Sequence, residues 1–120
     1  MKRKREIGDY LADILKSINL IEDFVKDTDL ESIAKDEKTL YAVIRAFEII
    51  GEASKNVPVR VRAKYPEIPW KRMAGMRDKL THEYFGVDLD VLKKTIRNQL
   101  PRIKPLIEKV SQDVEGHGGL

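Results

Sequence analysis

Three long stretches of the chain repeat apolar residues at helical spacing. From Ile7 to Val25 the positions Ile7, Leu11, Ile14, Ile18, Ile21 and Val25 alternate steps of four and three, which predicts a long amphipathic helix. A second stripe, Leu40, Val43, Phe47, Ile50 and Ser54, predicts another, with Asp36 as its N-cap and an end near Asn56. Gly51 falls inside that helix at a cost of about 1 kcal/mol relative to alanine. Close approach of a neighbouring helix is one reason to keep it. The third stripe, Leu89, Leu92, Ile96, Leu100, Ile103, Ile107 and Val110, predicts a last helix capped by Asp88. Pro101 removes one backbone hydrogen bond from it, so a kink or an end to its first half is expected there.

Shorter elements fill the gaps. The polar stretch KDTDLESIAKDEK joins the first two helices and has room for one helical turn at 30–34. In VPVRVRAKYPEIPW the valines Val57, Val59 and Val61 alternate as in a strand, but no second strand exists to pair with them. Pro58 at a first helical position suits a short helix better. Pro69 can then open a further helix, with Trp70 packed inward, that carries RDKLTHEYF and stops at Gly86. The expected fold class is all-α: an up-and-down bundle of three long helices plus one or two short ones. Residues 1–115 read as a single domain and residues 116–120, GHGGL, as a flexible tail.

Composition narrows the function classes. A chain of 120 residues, 42% hydrophobic and 36% charged, can bury one core but not two, and is neither disordered nor fibrous. Cysteine is absent, which removes disulfides, thiolate metal sites and thiol nucleophiles. No apolar run nears the ~20 residues of a membrane span. No apolar stretch follows the basic start MKRKREIGDY, so no membrane partner is expected, and the cytoplasm is the expected compartment. The net charge of +3 is unevenly spread. Residues 55–79 hold eight basic side chains, Lys55, Arg60, Arg62, Lys64, Lys71, Arg72, Arg77 and Lys79, against Glu67 and Asp78, an excess of six. Residues 22–37 lean acidic. Such asymmetry can draw a polyanion or an acidic protein to one face; it also fits a solvated helical surface.

Histidine is scarce, and His82 has informative neighbours. Asp78 stands one helical turn before it, placed to accept a ring N–H and fix the tautomer. Arg77 lies five residues before it, about 140° around a helix axis, so the two sit on different flanks. For both to act on one phosphate, the substrate must straddle the helix, the helix must distort, or a second copy must supply one group. The chemistry such a set can run is phosphodiester cleavage of RNA. A neutral imidazole takes the 2′-hydroxyl proton or, protonated, gives one to the leaving oxygen; a guanidinium stabilises charge growing on phosphorus. A two-fold dimer would bring two copies of each group to a shared cleft. A histidine bonded to Asp78 and nothing more is the bland alternative. Other chemistries fit worse. Gly86 stands where HExxH needs its second histidine, Asp88 reads as an N-cap rather than a metal ligand, and no serine has a nearby base. No metal and no cofactor are expected.

The stretches AFEIIGEASKNVP, YPEIPWKRMAGMRDKLTHEYFGVD and LDVLKKTIRNQLP together resemble the HepT-like family of HEPN-domain toxins. The family's signature is arginine, four to six residues, histidine, any residue, tyrosine, which here reads Arg77, DKLT, His82, Glu83, Tyr84. The resemblance is strong over residues 47–101 and looser in the first helix. It implies a HEPN-like homodimer whose paired signatures line a cleft, and a metal-independent endoribonuclease with Arg77 and His82 as catalytic residues. It also implies a partner, the MntA-like nucleotidyltransferase antitoxin of a type VII toxin–antitoxin pair, which neutralises the toxin by transferring AMP from ATP to Tyr84. Asp78 would orient His82, and the basic excess, taken as Lys55, Arg60, Arg62, Lys71, Arg72 and Lys79, would hold the RNA backbone. The alternative is a non-catalytic helical dimer that binds a nucleotidyltransferase partner or nucleotides.

Overall fold

The computed structural model describes residues 5–76, 78 and 88–116. The expectations for Arg77, Lys79, His82, Tyr84, the stop at Gly86 and residues 117–120 of the tail lie outside the described residues. Among those described, every regular element is helical. No helix among them is long and apolar enough to cross a membrane.

Helix α1 spans Ile7–Val25 and α2 spans Glu37–Asn56, with a 3-10 segment, Leu30–Lys35, between them. Each starts for a local reason. Asp9 accepts the Glu6 N–H at 2.8 Å at the head of α1. Asp36 caps α2 as its sequence predicts, accepting the Thr39 N–H at 3.1 Å and the Thr39 hydroxyl at 2.7 Å. These bonds hold the Asp36 carboxyl below its ordinary range. Two short helices follow, α3 at Val59–Lys64 and α4 at Trp70–Ala74. Of the alternating valines, Val59 and Val61 are helical and Val57 is a single extended residue between α2 and α3; Val57 and Val61 are buried while Val59 is 70% exposed.

The last stripe forms one continuous helical run in three parts: α5 at Leu89–Lys94, a π-helical turn at Thr95–Gln99, and α6 at Leu100–Gly116. Asp88 caps it, accepting the Val91 N–H at 3.1 Å. Pro101 does not end the helix. The widened turn before it, closed by the Leu100 N–H on the Thr95 carbonyl, is where the backbone adapts. The turn also explains the stripe's spacing. Leu92, Ile96 and Leu100 are all buried although two successive steps of four would drift around a regular α-helix, and the π turn absorbs that drift. Pro105 is carried inside α6 as well.

The core sits where α1 packs along α2 on one side and α6 on the other, with α4 laid against α2. Leu11, Ile14, Ile18 and Ile21 of α1 meet Val43, Phe47 and Ile50 of α2 and Ile103, Ile107 and Val110 of α6, all essentially inaccessible. Full burial of such a side chain stabilises the fold by about 1.5–3 kcal/mol. Ser54 is inside this apolar set without penalty, because its hydroxyl donates to the Ile50 carbonyl at 2.7 Å. Among the described residues, ion pairs at Glu31 and at Glu22 tie elements together across the surface. Glu31 of the 3-10 segment accepts from Arg97 at 2.8 Å and from Lys93 at 3.0 Å, which holds its carboxyl below the usual 4.5. Lys104 donates to Glu22 at 2.8 Å, linking α6 to α1.

Candidate functional site

The segment YPEIPW sets the position of α4, the helix that leads toward Arg77 in sequence. Pro66 and Pro69 fix two backbone angles in it and deny it a regular helix. Three anchors hold it to the core. The Tyr65 hydroxyl donates to Asp113 of α6 at 2.7 Å, the Trp70 indole N–H donates to the Tyr65 carbonyl at 3.1 Å, and Ile68 is 2% exposed. The Asp113 carboxylate first, and burial second, push the Tyr65 phenol above its ordinary 10.0.

From that anchored start α4 turns Trp70 and Met73 inward, followed by Met76, and leaves Lys71 and Arg72 exposed. The close approach anticipated at Gly51 is made by this helix. A Cβ on Gly51 would lie 3.2 Å from the Ala74 carbonyl oxygen and 3.5 Å from that of Met73. The absence of a side chain on α2 therefore sets how deeply α4 sits. The helix that Pro69 opens ends at Gly75, whose N–H bonds the Lys71 and Met73 carbonyls; the uninterrupted helix expected from Pro69 to Gly86 is corrected at that point. Helical conformation resumes at Met76 and Asp78.

The predicted contact residues separate into groups. Lys71 and Arg72 share a cleft of about 600 Å³ with Pro69, Gly75 and Asp78. Asp78, expected to orient His82, is exposed in this cleft and is next to Arg77 in sequence. Arg60 lines a different hollow, of about 730 Å³, formed with Arg5, Tyr10, Asn56 and Glu115. Lys55 is exposed and lines neither. Arg62 is half-buried, and its Nε is enclosed without a hydrogen-bond partner. The described part of the basic segment thus presents two separate hollows rather than a single strip. The hollow that holds Lys71 and Arg72 is the one that includes Asp78, the neighbour of Arg77 in sequence. Both cations are exposed, and neither is in an ion pair among the described residues.

One further cleft has no counterpart in the sequence-predicted site. Arg72 and Pro69 also line a smaller cleft, of about 150 Å³, whose far wall is the π turn and the start of α6 with Gln99 and Arg102. The doubled step of four before Pro101 is the signal in the sequence that places Gln99 and Arg102 at an irregularity.

Comparison with known proteins adds a family. Residues 14–110 match the family described as ribonuclease HepT-like. A protein of Thermococcus cleftensis named probable ribonuclease HepT is 53% identical over 107 residues, covering 89% of this chain and 97% of its own length. Two proteins of Methanocaldococcus jannaschii, provisionally named RNases, are 47% and 45% identical, over 93% and 94% of this chain and 97% and 93% of theirs. No solved structure gives a significant match.

Proposed function

The chain belongs to the ribonuclease HepT-like family, and on that premise we propose that it is a metal-independent endoribonuclease with Arg77 and His82 as its catalytic pair. The observation that carries the reading is the intact signature, Arg77, His82 and Tyr84, within a match that covers residues 14–110. The cleft that Lys71 and Arg72 share with Asp78, the residue after Arg77 in sequence, supports it, since two exposed cations with no ion pair among the described residues suit a phosphate backbone.

The reaction is an attack of the ribose 2′-oxygen on the adjacent phosphorus. A neutral imidazole takes the 2′-hydroxyl proton, the new O–P bond forms as the bond to the 5′-oxygen breaks, and an imidazolium gives the departing oxygen its proton. The products are a 2′,3′-cyclic phosphate and a free 5′-hydroxyl. The Arg77 guanidinium stabilises the extra negative charge on the phosphoryl oxygens. A single histidine cannot serve as base and acid in one step, so a homodimer with two His82 side chains at one cleft is the functional unit. Asp78 fixes the tautomer of His82.

The same reading makes the protein the toxin of a type VII toxin–antitoxin pair. An MntA-like nucleotidyltransferase encoded as its partner transfers AMP from ATP to the Tyr84 hydroxyl, releasing pyrophosphate. The added group places an anion and a nucleoside beside the arginine and histidine and excludes RNA by charge and volume. Expression in a host without the partner tests this. The wild-type chain arrests growth, His82→Ala does not, and co-expression of the transferase rescues growth only where Tyr84 is present. Equal growth with wild type and His82→Ala would refute the toxin role.

A further inference from the structure

We propose that the small cleft between α4 and the π turn is a nucleobase site for the RNA substrate, and that its chemistry selects guanine. This rests on the chain acting on RNA, and it concerns residues outside the signature. The cleft presents four polar side chains, Glu67, Arg72, Gln99 and Arg102, above an apolar wall that includes Ile103 and Leu106. Among the described residues, Glu67, Arg72 and Arg102 make no hydrogen bond or ion pair, either with one another or with other groups. One acceptor-only group and two donor-only groups are thus left uncommitted around one volume of about 150 Å³.

That combination argues against a bare phosphate site. A phosphate has no use for the apolar wall, and the Glu67 carboxylate would repel it. A base uses all three elements: a face for the apolar wall and the guanidinium planes, donors for the carboxylate, and acceptors for the arginines and the Gln99 amide. Guanine fits best because its N1–H and N2–H₂ form an adjacent donor pair that a carboxylate can accept, while O6 and N7 form an acceptor pair matched to an arginine fork. Adenine and uracil lack the adjacent donor pair. Cytosine has a single exocyclic donor group beside two acceptors.

Position adds to the argument. Arg72 and Pro69 line both this cleft and the wider one that ends at Asp78, so a strand lying in the wide cleft passes the mouth of the small one. The π turn is the structural device that creates the site. It holds Gln99 at the helix surface where the following turn supplies Arg102, and wide turns of this kind recur at functional positions.

The test is binding of GMP, AMP, CMP and UMP to the purified full chain, followed by NMR shift perturbation, with Glu67→Gln and Arg102→Ala alongside. GMP is expected to bind most tightly, to perturb Gln99 and Arg102, and to lose affinity about tenfold in either variant. Equal binding of all four nucleotides, no binding of any, or unchanged or tighter binding in Glu67→Gln would overturn the base site; the last result would mark a phosphate contact instead. In a second arm, short single-stranded RNAs with and without guanosine are cut by wild type and by Glu67→Gln. A guanosine-dependent cut that the variant blurs supports the assignment; a cutting pattern indifferent to guanosine overturns it. If no RNA is cut while GMP binds as described, the proposed catalytic function fails and the base site stands.

Discussion

Tyr65 shows how much one side chain is asked to do. Its hydroxyl reaches across 48 positions of chain to Asp113, and its carbonyl receives the Trp70 indole, so it ties the entry to α4 to the far end of α6. A hydrogen bond to a charged acceptor is worth about 1.5–3 kcal/mol, and removing the donor leaves Asp113 half-buried without it. Tyr65→Phe should therefore lower Tm by about 5 °C or more at neutral pH, measured by thermal melts followed by circular dichroism. The pH dependence has a definite sign. The phenol's folded-state pKa is raised above 10.0, so its stabilisation is full below pH 10 and is lost as pH rises through the folded value. The gap between wild type and Tyr65→Phe should close in that alkaline window and hold steady from there down to neutral pH. None of this was legible from the sequence, because the partner is remote and a tyrosine next to a proline announces only a turn.

At the scale of elements, what could be read depended on how local the cause was. The extent of α1, the Asp36 and Asp88 caps, and the end of α2 at Asn56 follow from side chains within a turn of the feature, and the stripes were sufficient to place them. The break at Gly75 was missed because two glycines, Gly75 and Gly86, offer the same local stop signal and the sequence alone does not choose between them. The stop reflects packing: α4 must lie against Gly51 while Trp70, Met73 and Met76 reach the core. The π turn was half visible, as two successive steps of four, but a single missing hydrogen bond at Pro101 was the simpler expectation. Gly51 offers a test at this scale. Alanine there gains up to about 1 kcal/mol of helix propensity but sets a methyl 3.2 Å from the Ala74 carbonyl, so the two effects oppose. Gly51→Ala should leave Tm nearly unchanged and still reduce RNA cleavage, since α4 must move. Gly51→Val, with more volume to place, should cost about 1–3 kcal/mol in a denaturant melt. A Gly51→Val protein as stable as wild type would show that α4 does not rest on α2 in this way.

At the scale of the whole molecule, fold and family agree: helices around one core, in a member of the ribonuclease HepT-like family. The excess of positive charge was legible as a count, but its division was not. Lys71 and Arg72 fall beside Asp78, whereas Arg60 faces a separate hollow with Glu6 and Glu115. RNA affinity should follow that division. Lys71→Ala and Arg72→Ala should each weaken RNA binding and lower the slope of log affinity against log salt by about 0.7, the single-strand value per phosphate contact, whereas Arg60→Ala should leave the slope nearly unchanged. Fluorescence anisotropy with a labelled single-stranded RNA over a salt series gives these slopes. Equal losses at all three positions would point instead to a diffuse electrostatic surface.

Everything above turns on whether Arg77 and His82 cleave RNA without a metal ion. The most direct test is incubation of a mixed cellular RNA pool with purified, unmodified protein in EDTA, beside Arg77→Ala and His82→Ala, with product ends analysed for cyclic phosphate. Wild type should cleave and leave cyclic phosphate ends, and each variant should lose activity by at least about 10²-fold. No cleavage by verified unmodified protein, or cleavage that survives both substitutions, would contradict this and leave a helical module that binds a partner without cutting RNA.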